Sequence, residues 1–200
     1  MTEKSDDDRL THSERINIRI SVTQTVLALV GIFIGSVALY AALSESEAVR
    51  KQTEASVWPR LDILTIYYGL QGEERINIVA RNRGIGPAVI ESVLVTVDDK
   101  PAESWAEVIR AVSSGDDFGI SNWTIDRTVI SPEEDITMLS LEEKYSSPEQ
   151  TRALRDAFAS DRVVVEVCYC SVFDSCWRTR SNNLAPQEVE ACKSGEPSEF

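Results

Sequence analysis

The stretch RVVVEVCYCSVFDSCWRTR, residues 162–180, determines how the rest of the chain is interpreted. Its first half alternates with the period of two that is typical of a half-buried strand. One face carries Val163, Val165, Val167 and Tyr169, and the other carries Val164, Glu166, Cys168 and Cys170. The pattern therefore predicts a strand whose cysteines point away from the core.

The segment VFDS allows the chain to fold back as a hairpin. In one register three matched pairs of residues lie opposite each other, namely Cys170 with Cys176, Tyr169 with Trp177, and Glu166 with Arg180. Cross-strand pairs of this kind stabilise a hairpin and fix its register. We therefore expect a cysteine pair, an aromatic pair and an ion pair to form together.

The chain has four cysteines. With Cys170 beside Cys176, Cys168 is left to pair with Cys192 in the C-terminal tail. The connectivity Cys168 with Cys176 and Cys170 with Cys192 remains an alternative. The spacing C-x-C-x₅-C-x₁₅-C lacks the paired C-x₂₋₄-C units of structural zinc sites. We therefore predict two disulfides rather than a metal site, with free thiols in a reducing compartment as the other alternative.

An apolar run near the N-terminus, VLALVGIFIGSVALYAAL at residues 26–43, contains no charged residue. As a helix it covers ~27 Å, close to the ~30 Å hydrocarbon core of a bilayer. The leader at residues 1–20 is long and mixed in charge, unlike that of a cleaved signal peptide. We predict an uncleaved transmembrane helix over residues 21–43, with the lipid bilayer as its partner.

Four small residues within this run follow the spacing that lets two helix backbones approach closely, namely Gly31, Gly35, Ala38 and Ala42. They are candidate packing residues for a homodimer that forms through the transmembrane helix. The alternative is that they simply face lipid.

Basic residues are balanced on the two sides of the span, so charge does not decide its orientation. The ~155 residues that follow it are long enough to be translocated regardless of charge, and cysteine pairs persist on an oxidising side. We expect a cytoplasmic N-terminus and a C-terminal domain in the periplasm or outside the cell.

Beyond a juxtamembrane helix at residues 44–58, turn signals separate about seven strand patterns. These are LDILTIYYGL, ERINIVARN, VIESVLVTV, ISNWTID, EDITMLSL, RVVVEVCYC and SCWRTR. SWAEVIRAV and SPEQTRALRDAFAS predict two short inserted helices. The pattern favours a mainly β fold, an immunoglobulin-like antiparallel β-sandwich over residues 59–181 with a polar tail at 182–200. The rival is an α+β domain with one sheet backed by the helices.

Three segments, ASVWPRL, NRGIGPAVI and CYCSVFDSCW, resemble motifs of a group of bacterial single-pass membrane-anchored proteins. The resemblance covers most of the chain. It implies a bacterial inner-membrane topology and carries no activity.

In NRGIGPA the lysine and following helix of a phosphate-binding loop are missing, so we expect Gly84 to supply a positive φ at a turn.

The net charge of -13 disfavours nucleic acid as a partner.

The single histidine, His12, precedes the predicted span, so the domain has no Cys-His or Ser-His pair for catalysis. Acidic clusters at residues 116–117, 133–135 and 142–143 fall in predicted turns or strand ends. We expect no catalytic residue, no cofactor and no metal.

We interpret the chain as a non-catalytic protein-binding, accessory or sensing subunit at the bacterial envelope. Exposed strand edges and the loops near Trp105 and Trp123 are candidate contact surfaces for a protein partner. The alternatives are a cytoplasm-facing, membrane-tethered signalling or defence effector and a carboxylate-based hydrolase.

Overall fold

The computed structural model describes residues 4–70, 73–193 and 198–200. The chain divides into two compact units between Gln52 and Thr53. A single helix, α1 (Lys4–Ser56), spans the first unit and ends just before Trp58-Pro59. Its segment Glu14–Ser56 is long and apolar enough to cross a membrane, judged by length and composition.

The second unit is mainly antiparallel β-structure with two further helices. The strands are β1 (Leu61–Tyr68), β2 (Arg75–Asn82), β3 (Ala88–Val97), β4 (Lys100–Pro101), β5 (Ile120–Asn122), β6 (Val129–Ile130), β7 (Asp135–Glu142), β8 (Val163–Cys170), β9 (Cys176–Arg180) and β10 (Asn183–Val189). The helices are α2 (Trp105–Val112) and α3 (Pro148–Ala159).

The strands form two sheets. One has the order β1-β2-β7-β5, and the other has the order β10-β9-β8-β3-β4, with β6 also paired to β3. All of these pairings are antiparallel. Both sheets and both short helices contribute to one hydrophobic core. The expectation of a mainly antiparallel β domain with two inserted helices is therefore confirmed.

The two inserted helices begin where the sequence places capping residues. Ser104 caps α2 by accepting the N–H of Glu107, and Ser147 forms a reciprocal capping box with Gln150 at the start of α3. The first residue of α2, Trp105, is buried and packs edge-on against Phe200 at 5.1 Å between ring centroids. Trp105 is therefore a core residue rather than a contact surface.

In residues 182–193 and 198–200, the C-terminal part that the structure describes, the chain packs against the β unit. Strand β10 pairs with β9, and Phe200 is fully buried. The carbonyl oxygen of Phe200 accepts the N–H groups of Ile125 (3.0 Å) and Asp126 (3.1 Å). The prediction of a polar tail at 182–200 did not include strand β10, because the segment shows little alternation. It did not include the burial of Phe200 either, because Trp105, against which Phe200 packs, is far away in the sequence.

Asn82, at the end of β2, is a buried side chain that joins three parts of the domain. Its Nδ2 donates to the carbonyl oxygens of Gly86 (2.8 Å) and Ile130 (3.0 Å). Its Oδ1 accepts the N–H groups of Gly84 (2.9 Å) and Arg60 (3.3 Å). The amide therefore ties the β2–β3 loop to β6 and to the segment that leads into β1.

The glycines of the β2–β3 loop are needed for close backbone approach. A Cβ on Gly84 would lie less than 3.0 Å from the backbone nitrogen of Arg60, and one on Gly86 less than 3.0 Å from the carbonyl oxygen of Val57. Gly84 is not among the residues with positive φ, so the expectation of a left-handed turn there was wrong. The constraint is steric contact with residues 57–60.

Replacing Asn82 tests this junction. Asn82→Ala removes both donor bonds and both acceptor bonds and leaves buried backbone groups unpaired, so we expect a loss of about 2–4 kcal/mol in unfolding free energy. The control is Asn122→Ala, at an exposed site on β5, for which we expect a change within about 0.5 kcal/mol. Denaturant unfolding of the full chain in detergent measures both, and equal midpoints would contradict the role of Asn82.

Candidate functional site

One end of the β unit brings together three segments that are distant in sequence. The N–H of Ile85, in the β2–β3 loop, donates to the carbonyl oxygen of Trp58 (3.0 Å). Val89, at the start of β3, lies opposite Cys170 at the end of β8. The β8–β9 turn, the β2–β3 loop and the segment before β1 therefore meet at this end, which we call the hairpin end.

The β8–β9 hairpin has the register expected from its sequence. Cys170 lies opposite Cys176, Tyr169 opposite Trp177, and Glu166 opposite Arg180. Glu166 accepts a hydrogen bond from Arg180 at 2.6 Å and is also ion-paired with Arg178 at 3.2 Å. Outer-face charges therefore align the two strands along their length.

The four cysteines form two disulfides at this end. Cys170 is bonded to Cys176 with a Cα–Cα distance of 4.0 Å, and Cys168 is bonded to Cys192 with a Cα–Cα distance of 5.7 Å. The cysteines are thus disulfide-bonded, in the pairing favoured by the hairpin register. We call these four residues the cystine cluster.

The sulfurs of the two disulfides lie close together. Cys170 Sγ is 3.8 Å from Cys192 Sγ, and the sulfurs of Cys170, Cys176 and Cys192 all lie within 4.8 Å of one another. Three thiolates at such distances could hold a metal ion. In the disulfide-bonded form, however, each sulfur is bonded to another sulfur and offers no thiolate.

The cysteines of β8 are less exposed than predicted. Cys168 is 5% exposed and Cys170 is 8% exposed. The alternation of residues along β8 correctly predicted that both cysteines lie on the face opposite the valines. The Cys168–Cys192 disulfide holds the segment after β10 against this face, and the cysteines are therefore covered. Cys192 itself is half-buried, so it is the more accessible member of its pair.

An aromatic row connects the hairpin to the rest of the hairpin end. The ring centroids of Tyr169 and Trp177 are 5.9 Å apart, and Trp177 meets Trp58 edge-on at 6.3 Å. The hydroxyl oxygen of Tyr169 accepts the N–H of Leu61 at 3.2 Å. Burial raises the pKa of Tyr169, so its hydroxyl remains protonated.

Several large apolar side chains are exposed at the hairpin end. They are Val172 and Phe173 in the β8–β9 turn, Ile85 in the β2–β3 loop, and Trp58, with 55%, 40%, 65% and 41% exposure. We call them the apolar tip. Sequence reasoning missed this surface, although two adjacent apolar residues inside the predicted turn were a visible signal.

The apolar tip is held on a constrained backbone. Ser171 donates its N–H to the carbonyl oxygen of Ser175 at 2.8 Å, and Asp174 donates to Ser171 at 3.1 Å. The Cys170–Cys176 disulfide closes the turn directly beneath these bonds. Val172 and Phe173 are therefore presented to solvent by a short, cross-linked loop.

Trp123 lies at a second exposed position. It is 69% exposed, follows edge strand β5, and donates its N–H to the carbonyl oxygen of Met138 at 3.1 Å. Of the two tryptophans expected near contact surfaces, Trp123 is therefore at the surface and Trp105 is in the core.

The acidic clusters are held in ion pairs and hydrogen bonds. Glu143 accepts the N–H of Glu74 at 2.9 Å, and Glu74 is ion-paired with Arg152 and accepts a hydrogen bond from Tyr67 at 3.0 Å. Arg152 is the main cause of a lowered pKa for Glu74. A general acid for glycoside hydrolysis needs a raised pKa, so Glu74 does not suit that chemistry.

The other acidic clusters have the same character. Asp135 is ion-paired with Arg81, and Asp116 is ion-paired with Arg110 at 3.3 Å. The Glu134 carboxylate accepts the N–H of Ser131 at 2.7 Å. These contacts stabilise turns and strand ends and give no support to a carboxylate hydrolase.

No protein-family model, curated protein or solved structure matches the chain. The role of the hairpin end therefore has to be inferred from its residues and their geometry.

The Glu74–Arg152 pair predicts a pH dependence of stability. The folded-state pKa of Glu74 lies below its unfolded value, so its stabilising effect is fully present above the unfolded pKa and is lost as pH falls through the folded pKa. Glu74→Gln should therefore be less stable than the parent at neutral pH and approach it in acid. Unfolding midpoints at several pH values measure this difference.

Glu91→Gln, at an exposed position on β3, is the matched control and should follow the parent at every pH. A stability gap for Glu74→Gln that stays constant from neutral to acid would contradict a role for the ionised carboxylate.

Proposed function

We propose that this chain is a single-pass membrane-anchored β-sandwich protein of the bacterial envelope that binds another protein as a non-catalytic accessory or sensing subunit. Its N-terminus lies in the cytoplasm, and its β unit lies in the periplasm or outside the cell. The apolar tip is the binding surface.

The strand order supports an immunoglobulin-like sandwich. When β1, β2, β3, β5, β7, β8 and β9 are assigned in chain order to strands A to G, one sheet has the order A-B-E-D and the other the order C-F-G. This is the strand order of constant-type immunoglobulin domains. Strand β4 then corresponds to an added strand at the C edge, and β10 extends the sheet beyond G.

The disulfides and the apolar helix support the location. Disulfides form and persist in oxidising compartments, and the bacterial periplasm is one of these. A helix long and apolar enough to cross a membrane precedes the disulfide-bonded unit. Together they favour translocation of the unit over a cytoplasm-facing effector.

The observation that carries the binding role is the exposure of Val172 and Phe173 on the cross-linked β8–β9 turn. A cross-linked, solvent-exposed apolar loop loses little conformational entropy on binding and can fill a pocket in a partner. In the immunoglobulin-like assignment this turn is the F–G loop, beside the B–C loop that carries Ile85. Loops at one end of a sandwich commonly form binding sites.

Site-specific photo-crosslinking in cells tests the binding surface. A photo-reactive residue at position 173 should give a discrete covalent adduct with a protein partner. The adduct should disappear when Ile85→Ser and Val172→Ser are added, because the surrounding apolar surface is then lost.

The control position is Tyr145, which is 55% exposed and follows β7 at the end of the domain away from the apolar tip. It should give no such adduct. Equal crosslinking at the two positions, or an adduct that survives both serine substitutions, would argue against the apolar tip as the binding surface.

Protease access tests the location. In cells stripped of their outer membrane, an added protease should degrade the β unit and leave the cytoplasmic N-terminal segment protected. Protection of the β unit until the inner membrane is broken would contradict the proposed orientation and favour the cytoplasm-facing alternative.

A further inference from the structure

We propose that the cystine cluster is a thiol–disulfide exchange site whose substrate is a dithiol reductant. After reduction of the Cys168–Cys192 disulfide, the Cys192 thiolate attacks Cys170 and displaces Cys176. The remaining disulfide then joins Cys170 to Cys192. The exchange itself is independent of the proposed binding role.

The argument starts from the distance between the two disulfides. Cys170 Sγ and Cys192 Sγ belong to different disulfides and are 3.8 Å apart. Exchange requires a thiolate to reach a sulfur of a neighbouring disulfide. A thiolate released on Cys192 starts close to the sulfur that it attacks, and once Cys192 is freed from Cys168 its side chain must rotate into line with the Cys170–Cys176 bond.

The hairpin register makes the exchange selective. Cys168 lies opposite Arg178, two residues along β9 from Cys176, and it does not belong to the group of three sulfurs within 4.8 Å of one another. A bond between Cys168 and Cys176 would require a diagonal approach across the strands. The Cys170–Cys192 bond, which joins sulfurs that are 3.8 Å apart, is therefore favoured over a Cys168–Cys176 bond.

The chemistry balances in two steps. In the first, one thiolate of the dithiol attacks the Cys168–Cys192 bond to form a mixed disulfide, and its second thiol resolves that bond. The dithiol leaves as a disulfide, and Cys168 and Cys192 each hold a reduced sulfur, a transfer of two electrons. In the second, the Cys192 thiolate attacks Cys170 Sγ, and Cys176 leaves as a thiolate that takes a proton from solvent.

The surroundings favour reduction of the Cys168–Cys192 pair first. Cys192 is half-buried, whereas Cys170 and Cys176 are buried at the base of the turn. Cys168 also lines a cavity on the outer face of the sheet.

The exchange changes the hairpin end without releasing the C-terminal segment. The new Cys170–Cys192 bond still attaches that segment to β8. Cys176 becomes free, so the covalent closure beneath Val172 and Phe173 is lost. If the apolar tip binds a partner as proposed, a thiol signal would thereby change the stiffness of the binding surface.

Paired cysteine variants of the full chain in detergent test the selectivity. Cys168→Ser with Cys176→Ser leaves Cys170 and Cys192, which should form an intramolecular disulfide under mild oxidation in the presence of a metal chelator. The matched control, Cys170→Ser with Cys192→Ser, leaves Cys168 and Cys176 and should retain two alkylatable thiols. Mass measurement under non-reducing conditions distinguishes the two results.

The unsubstituted chain provides a test that does not depend on folding of a variant. After treatment with a limiting amount of a dithiol, acid quenching and alkylation, the singly reduced species should carry its alkyl groups on Cys168 and Cys176. Alkyl groups confined to Cys168 and Cys192 would show reduction without exchange and overturn the proposal. Two free thiols in the first variant would overturn it as well, and so would oxidation of the control to the same extent as the first variant.

Discussion

The covalent attachment of β8 to its neighbours is the constraint on which the hairpin end depends. One disulfide fixes the end of β8 to the start of β9, and the other fixes it to the segment after β10. The bonded cysteines are 6 and 24 residues apart in sequence. In the chain-entropy description, loops of these lengths contribute roughly 2 and 3 kcal/mol by restricting the unfolded chain. The outer face of β8 therefore remains in place without a second apolar layer over it.

The junction around Asn82 is a second constraint, and it acts through hydrogen bonds and close contact. The glycines of the β2–β3 loop let its backbone lie against residues 57–60, and the Asn82 amide bonds to both segments. This junction places Ile85 beside Trp58. The Cys170–Cys176 disulfide closes the turn that carries Val172 and Phe173. The apolar tip thus combines a loop fixed by packing with a turn fixed by covalent bonds.

The parts of this structure that depend on local pattern could be predicted from the sequence. The alternation of residues 162–170 and the three matched pairs across VFDS fixed the hairpin register, and Ser147 marked the start of α3. The parts that depend on long-range contact could not. Phe200 is buried by Trp105, and Gly84 is required by the neighbouring backbone rather than by its own φ. The candidate binding surface was not predicted, because the exposure of Val172 and Phe173 depends on the hydrogen bonds and the disulfide that constrain the β8–β9 turn.

The most direct test of the central claim is an intact-mass measurement of the full chain after alkylation without reduction. With both disulfides formed, we predict no alkylated cysteine and a mass lower than that of the fully reduced chain by four hydrogens, two for each of the bonds Cys168–Cys192 and Cys170–Cys176. Four alkylated thiols, or a stoichiometric zinc ion bound to the chain as purified, would contradict the claim that covalent cross-links hold β8 in place.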